Sequence, residues 1–360
     1  MAKKNWKIIH VDDFVIFKAS DDIVEEANAK YAAANESNRR YLETHPAATP
    51  TMPVTGTFIC AQPPNYRGVP MLHATEDEWA EKFELLKTFG VDTVIWQAAV
   101  WNELETVYYP SRRFKNYRLF DSVGKALAAA KRTGLEVYLG AYGSVSGWCM
   151  GKDPAFVEQE KWNHFAVQDE LFELYGGQFK GIYFAPETAY RGERDLYTEK
   201  TLNSIYRDFC DRLKELHPGC EILMSPATKY FPGKLDEMID SWNVILDGVK
   251  LDIMAPQDSI GCCGNTLEHQ KEMFRVWRKI CDAKNIRFWS NVELFEDLDC
   301  SQINSAIPAD PRRVAHQMSN AAEVAEKLIS WEMLFFTDVN GGSRAAALRK
   351  FLQECNAKLG

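Results

Sequence analysis

Two glutamates, Glu187 and Glu293, end two stretches built alike. Lys180-Gly-Ile-Tyr-Phe-Ala-Pro-Glu187 runs through apolar and aromatic positions to a carboxylate, and a polar, glycine-containing segment follows. Arg287-Phe-Trp-Ser-Asn-Val-Glu293 has the same layout. Such a run is how a buried parallel strand reads when it ends at an open face. Two carboxyls in unequal surroundings can divide acid from base work, as cleavage of a glycosidic bond requires. Ile182, Tyr183, Phe184, Ala185 and Pro186 precede Glu187, and desolvation raises a carboxyl pKa, so Glu187 is the expected general acid. Ser290 and Asn291 are expected to keep Glu293 ionised, and strand alternation puts Asn291 and Glu293 on one side.

The elements that must position these groups follow a rhythm that begins at Thr55. Strands are expected at 56–62, 93–97, 136–142, 180–187, 221–225, 249–255, 287–292 and 327–331. Amphipathic helices follow them near 75–89, 119–133, 154–175, 198–216, 234–246, 266–283, 311–326 and 343–356. Thr75 and Glu78 form a capping box, and Gly90 and Gly134 stop their helices. Eight strand–helix units define an α/β chain, a (β/α)8 TIM barrel over residues 55–360. A doubly wound sheet is the runner-up, but it usually has fewer units and a Gly-rich first turn. Residues 1–54 read as an N-terminal helical extension, with a helix from Asp21 to about Leu42, packed on the outside or bottom of the barrel.

In a barrel the strand ends converge, here bringing Gln62, Trp96, Gln97, Trp101, Tyr142, Ser225, Gln257, Asp258, Asn291, Trp331 and Glu332 toward the two glutamates. The set is acidic, amide-rich and aromatic. Aromatic faces stack on sugar rings while carboxylates and amides bond hydroxyls, so a carbohydrate is the expected partner. Trp96, Trp101, Tyr142 and Trp331 are expected to line the cleft; core packing is the competing role for each. Asp252 lies inside the sixth strand and reads as part of a satisfied core network. The histidines show no ligand spacing, and no metal or cofactor is assigned.

The net charge of −9 argues against a nucleic-acid or anionic-membrane surface. Gly-x-Gly-x-x-Gly, the phosphate-binding loop and the Gly-x-Ser-x-Gly elbow are absent. The nine cysteines include no CxxC pair, and the adjacent Cys262-Cys263 read as free thiols in a Gly-flanked loop near a rim. No apolar segment opens or spans the sequence, which implies a reduced, cytoplasmic protein unless a secretion signal has been trimmed. Oligomeric state is not specified by any of these features.

Several segments resemble a domain-of-unknown-function family of TIM-barrel proteins related to glycoside hydrolases. They are Gly56-Thr-Phe, the helix bearing Trp79, Asp92-Thr-Val-Ile-Trp-Gln97, Gly181–Glu187, Ser225-Pro226, Asp252-Ile-Met-Ala-Pro-Gln-Asp258 and Asn291-Val-Glu293. The layout is also similar to the wider glycosidase clan that carries its glutamates on strands four and seven. That resemblance implies Glu187 as acid/base and Glu293 as nucleophile. Pro186 stands where the clan usually has an asparagine that bonds the sugar 2-hydroxyl, a contact that Gln257 or Asn291 could supply. The expected function is glycoside hydrolysis. Two alternatives stay open: a non-catalytic carbohydrate-binding barrel, and a metal-dependent sugar isomerase or aldolase using Glu187, Glu293 and Asp258.

Overall fold

The computed structural model describes residues 6–11, 14–60, 71–102, 104–144, 154–299 and 306–359. The chain opens on an antiparallel hairpin, β1 (Trp6–Val11) and β2 (Phe14–Ser20), which runs into α1 (Asp21–Thr44). The helix from Asp21 precedes the barrel as expected; the hairpin ahead of it is an addition to that reading. Asn35 Nδ2 donates to Asp297 O (3.0 Å), Asn28 Nδ2 to Asp299 Oδ1 (2.7 Å), and Asn38 Oδ1 accepts from Leu267 N (2.9 Å). Asp297 and Asp299 follow one barrel strand and Leu267 opens the helix that follows another, so α1 runs beside the C-terminal mouth.

The strand–helix rhythm then runs as β3 (Val54–Ile59), α2 (Glu76–Lys87), β4 (Thr93–Trp96), three short strands β5 (Val100–Trp101), β6 (Thr106–Val107) and β7 (Arg118–Leu119), and α3 (Val123–Thr133). It continues with β8 (Glu136–Gly140), β9 (Tyr142–Gly143), α4 (Pro154–Tyr175), β10 (Gly181–Phe184), α5 (Leu196–Leu216), β11 (Glu221–Met224), α6 (Leu235–Ile245), β12 (Ile253–Met254) and α7 (Leu267–Lys284). The last elements are β13 (Arg287–Glu293), β14 (Phe295–Glu296), β15 (Ile307–Pro308), α8 (Pro311–Ala322), β16 (Lys327–Trp331), α9 (Met333–Phe336) and α10 (Gly342–Leu359). Strands β3, β4, β8, β10, β11, β12, β13 and β16 form a closed parallel barrel, in which β16 pairs back onto β3. This is the expected (β/α)8 TIM barrel. The capping box forms as read: Thr75 Oγ1 accepts from Glu78 N, and Glu78 Oε2 from Thr75 N.

Strand parity sorts the side chains. Val94 and Trp96 face outward with Ile59, Val137 and Leu139, against Phe83 of α2 and Val123 and Leu127 of α3. The lumen is filled by rings: Phe58 meets Tyr183 (centroids 5.1 Å apart) and Trp331 (5.3 Å), and Tyr138 meets Trp289 edge-on (5.7 Å). Gly181 is dictated by this packing, since a Cβ there would lie 2.7 Å from the Tyr138 ring. Asp252 joins a structural network, accepting from Lys214 Nζ (2.6 Å) and Ile222 N (2.7 Å).

The seam between first and last elements is sealed by Asn356 of α10. Its Nδ2 donates to Val54 O (2.9 Å) and Phe89 O (2.5 Å), and its Oδ1 accepts from Val54 N (3.3 Å). Asn356→Ala strands these buried groups and is expected to cost about 1–3 kcal/mol, read as a lower midpoint in denaturant unfolding. An unchanged midpoint would mean the seam holds without it.

Candidate active site

Glu187 stands three residues beyond β10, half-buried at the mouth; burial, then the charge of Glu187, push the Tyr183 phenol's pKa up. Burial raises the Glu187 carboxyl to about 7, partly opposed by a hydrogen bond with Gln257. Gln257 Nε2 also donates to Ser225 O (3.1 Å), and Ser225 Oγ accepts from Asn291 Nδ2 (3.1 Å). Gln257 bridges to Asn291 across the strand ends; Asp258 N donates to Asn291 O (3.0 Å) and Asn291 N to Pro256 O (3.1 Å). Glu187, Ser225, Gln257 and Asn291 therefore form one patch over β10–β13. Two acceptors in the barrel mouth, Gln97 Oε1 and Asn291 Oδ1, are buried with no hydrogen-bond partner among the described residues. An unpaired buried acceptor is costly unless a ligand or water donates to it.

Glu293 ends β13 in a different setting. Its Oε2 accepts from Gly261 N (2.6 Å) and Cys262 N (3.1 Å), and its Oε1 meets the Cys262 thiol at 3.5 Å. Gly261 permits this approach, since a Cβ there would lie 3.0 Å from the carboxylate and against Phe295 O. Ser259 (φ 53°) and Cys263 (φ 61°) hold the loop in the left-handed region, where non-glycine residues are strained. Behind Glu293 lies Asp258, whose Oδ2 accepts from Gln317 Nε2 (2.6 Å) and whose Oδ1 accepts weakly from Glu293 N (3.4 Å). Burial, then the Asp258 charge and the Cys263 thiolate, push the Glu293 pKa well up, against the pull of the two amides. This corrects the expectation that Ser290 and Asn291 hold Glu293 ionised. Asn291 turns to Ser225, and Ser290 Oγ has no partner among the described residues.

The remaining residues of the sequence reading divide. Trp331 is half-buried beside Phe58, opposite Glu293 in the ladder. Trp101 is nearly buried on β5, its ring over Gly143. Trp96 is a correction: it points away from the mouth, packs on Trp79 of α2 (5.5 Å), and its Nε1 donates to Ala98 O (2.8 Å). Tyr142 is another, fully buried with its hydroxyl donating to Glu160 (3.0 Å) and accepting from Asn163 (3.1 Å) on α4. Glu332 is buried and accepts from Cys60 N (3.0 Å), which ties β16 to the end of β3 rather than facing a ligand. Asp258 is a positioning group under Glu293, with burial raising its pKa to about 6. Gln62 lies outside the described residues.

Sequence reasoning missed the 259–263 loop as the holder of Glu293, and Arg313 and Gln317 of α8 as its support. The adjacent cysteines marked the loop but not its amides; nothing marked the helix residues. Tyr183 was counted only as an apolar neighbour, though its parity already places it on the inner face.

The raised Glu187 pKa has a stability consequence. The folded state holds this proton more tightly than the unfolded chain, so stability falls as pH rises from the ordinary carboxylate value of 4.5 toward about 7. Glu187→Gln is expected to melt above the native protein at pH 8, with the gap closing toward pH 4. A gap that does not vary with pH would contradict the raised value.

Solved structures place the fold among known barrels. A "putative alpha-L-fucosidase" from Bacteroides thetaiotaomicron VPI-5482 superposes with a TM-score of 0.71 at 21% identity, over 87% of this chain and 98% of that one. A mutant of a glycoside hydrolase family 5 enzyme from Prevotella bryantii B14, in complex with a xyloglucan tetradecasaccharide, gives 0.53 at 12% identity over 86% and 94%. The exo-beta-1,4-mannosidase Op5Man5 from Opitutaceae bacterium strain TAV5 gives 0.53 at 14% over 86% and 60%. No curated protein matches the chain. A profile of the domain of unknown function DUF4434 matches residues 54–340, most of the chain and nearly all of the barrel, and the chain belongs to that family.

Proposed function

We propose that this protein hydrolyses a glycosidic bond, with Glu187 as the acid/base and Glu293 as the second carboxylate. The observation that carries the reading is Glu187: a half-buried carboxyl at a barrel mouth, raised to about 7, in one patch with Asn291, whose Oδ1 has no partner among the described residues. A carboxyl with that pKa is protonated often enough near neutrality to protonate a leaving oxygen. A hydroxyl-rich ligand supplies the donors that Gln97 Oε1 and Asn291 Oδ1 need. Two amides hold Glu293 Oε2 and stabilise its charge, leaving Oε1 with only a thiol contact among the described residues. The sugar-cleaving enzymes among the structural neighbours support the reading at the level of fold. Among the described residues no three metal-binding side chains gather.

The tethering of Glu293 favours a second reading, a barrel that binds glycans without turnover. A glycan and aryl-glycoside panel, assayed for released reducing ends or aryl alcohol, separates the two. Release that disappears in Glu187→Gln or Glu293→Gln supports hydrolysis; binding with no release by the native protein supports the second reading. Trp331 is proposed as a stacking platform. Trp331→Ala is expected to weaken the bound glycan about two- to tenfold, measured by calorimetry. Unchanged affinity with a lowered melting temperature would mark the ring as lumen packing.

A further inference from the structure

A cavity of about 620 Å³ lies beside this mouth, between α1 and the loops that follow β10, β11 and β12. Its wall includes Lys30 of α1, Arg191, Lys229, Tyr230, Phe231 and Cys263. Three cations line it, and no carboxylate does among the described residues, although the chain as a whole carries a net charge of −9. The volume is that of a site for a small ligand, about 300–1,000 Å³.

Lys229 decides what the cavity fits. Its side chain is half-buried and has neither an ion pair nor a hydrogen bond among the described residues. Lys30 by contrast bonds Glu26 (2.7 Å), a pair exposed on both sides and easily exchanged. No carboxylate among the described residues lining the cavity meets this ammonium, so an anion that enters gains a charge-assisted contact. The aromatic wall is already set. Tyr230 stacks on His269 (4.1 Å) and bonds Glu272 (3.1 Å), and Gly192 (φ 88°) lays the β10 loop on Phe231, where a Cβ would come within 2.9 Å of the ring. The cavity also joins the catalytic patch. Gly261 and Cys262 hold Glu293, and the next residue, Cys263, lines the cavity and senses the charges of both Lys229 and Glu187.

We infer that this cavity is a subsite for an anionic group on the glycan, the carboxylate of a uronic acid residue or a sulfate ester, with Lys229 as its central contact and Arg191 and Lys30 at its rim. The inference rests on the proposed glycan-processing role of the mouth and names the class of glycan. Tyr230 and Phe231 would cover the sugar ring that carries the charge. Lys229, one residue before them, would meet the acid group.

Calorimetry on the whole chain tests this with matched probes: tri-galacturonate against its methyl ester, and a chondroitin sulfate tetrasaccharide against its desulfated form. At least one acidic probe is expected to bind about tenfold or more tightly than its partner, a difference set by a charge-assisted contact. Which pair shows it distinguishes carboxylate from sulfate. Lys229→Met should abolish the preference, Lys229→Arg should keep it, and binding of the uncharged methyl ester should not change. No preference in either pair overturns the inference, as does a preference that survives Lys229→Met together with Arg191→Met. Neutral glycans cleaved without acid preference would sink this inference and leave hydrolysis standing. Acidic probes held through Lys229 but never cleaved would do the reverse.

Discussion

Glu187→Gln is expected to slow cleavage of glycosides with poor leaving groups by about 10²–10⁴-fold, the usual contribution of general acid catalysis, while sparing aryl glycosides whose leaving groups need no proton. Gln keeps the size of the side chain and can still bond Gln257, so folding and binding should persist. The pH profile provides an independent check. The acid must be protonated, so kcat/KM of the native enzyme should fall as pH rises through about 7. That alkaline limb should vanish for the variant on activated substrates. Rates that match the native enzyme on both substrate classes would remove Glu187 from the chemistry. On the acid side a second limb is expected as Glu293 takes up a proton, at higher pH than for an ordinary glutamate because the carboxyl is buried and Asp258 stands behind it.

Arg313→Met is expected to give the largest loss of stability, about 1–3 kcal/mol for each buried acceptor left without its donor, because it strips two backbone carbonyls and Gln317 of their donor and removes the positive charge near Asp258. Arg313 is buried on α8; its Nη2 donates to Glu293 O (3.0 Å) and Phe295 O (2.5 Å), and its Nε to Gln317 Oε1 (3.1 Å). Gln317 in turn donates to Asp258 Oδ2 (2.6 Å) and Glu293 O (3.2 Å). The guanidinium charge restrains the rise of the Asp258 pKa, so its removal lets that pKa climb further. A carboxyl raised in the folded state loses stability as pH increases from its unfolded value to its folded one. The deficit of Arg313→Met should therefore be greater at pH 8 than at pH 5, measured by urea unfolding. An equal deficit at both would show that Arg313 acts only through its carbonyl contacts.

Much of the fold was legible because parallel barrel strands are buried on both faces and read as apolar runs, with caps and glycines marking the helix ends between them. The sixth strand was read too long: only Ile253–Met254 join the ladder, and Asp252 before them turns to Lys214. The hairpin was overlooked although Trp6–Val11 and Phe14–Ser20 are rich in β-branched and aromatic residues, a strand signature. Among site residues the errors follow parity. Trp96 and Gln97 are neighbours, so only one can face the lumen, and it is Gln97 that carries the unpaired acceptor. Glu187 was legible because its desolvation comes from its own strand. The setting of Glu293 was not, because its partners come from the 259–263 loop and from α8, and no local pattern announces contacts made across the fold.

Closure of the barrel through β16 and β3 has a consequence for biosynthesis. Val54–Thr57 pair with Leu328–Ser330, so the first barrel strand must wait for nearly the whole chain before its free edge is covered. At ~5–20 residues per second, translation of the intervening segment lasts on the order of tens of seconds. Throughout that interval β3 offers an unpaired, apolar edge to whatever strand is nearby. Asn356, which locks that strand, emerges later still. A nascent chain halted before residue 327 is thus an open sheet with two bare edges, suited to chaperone capture or aggregation and not to a smaller barrel.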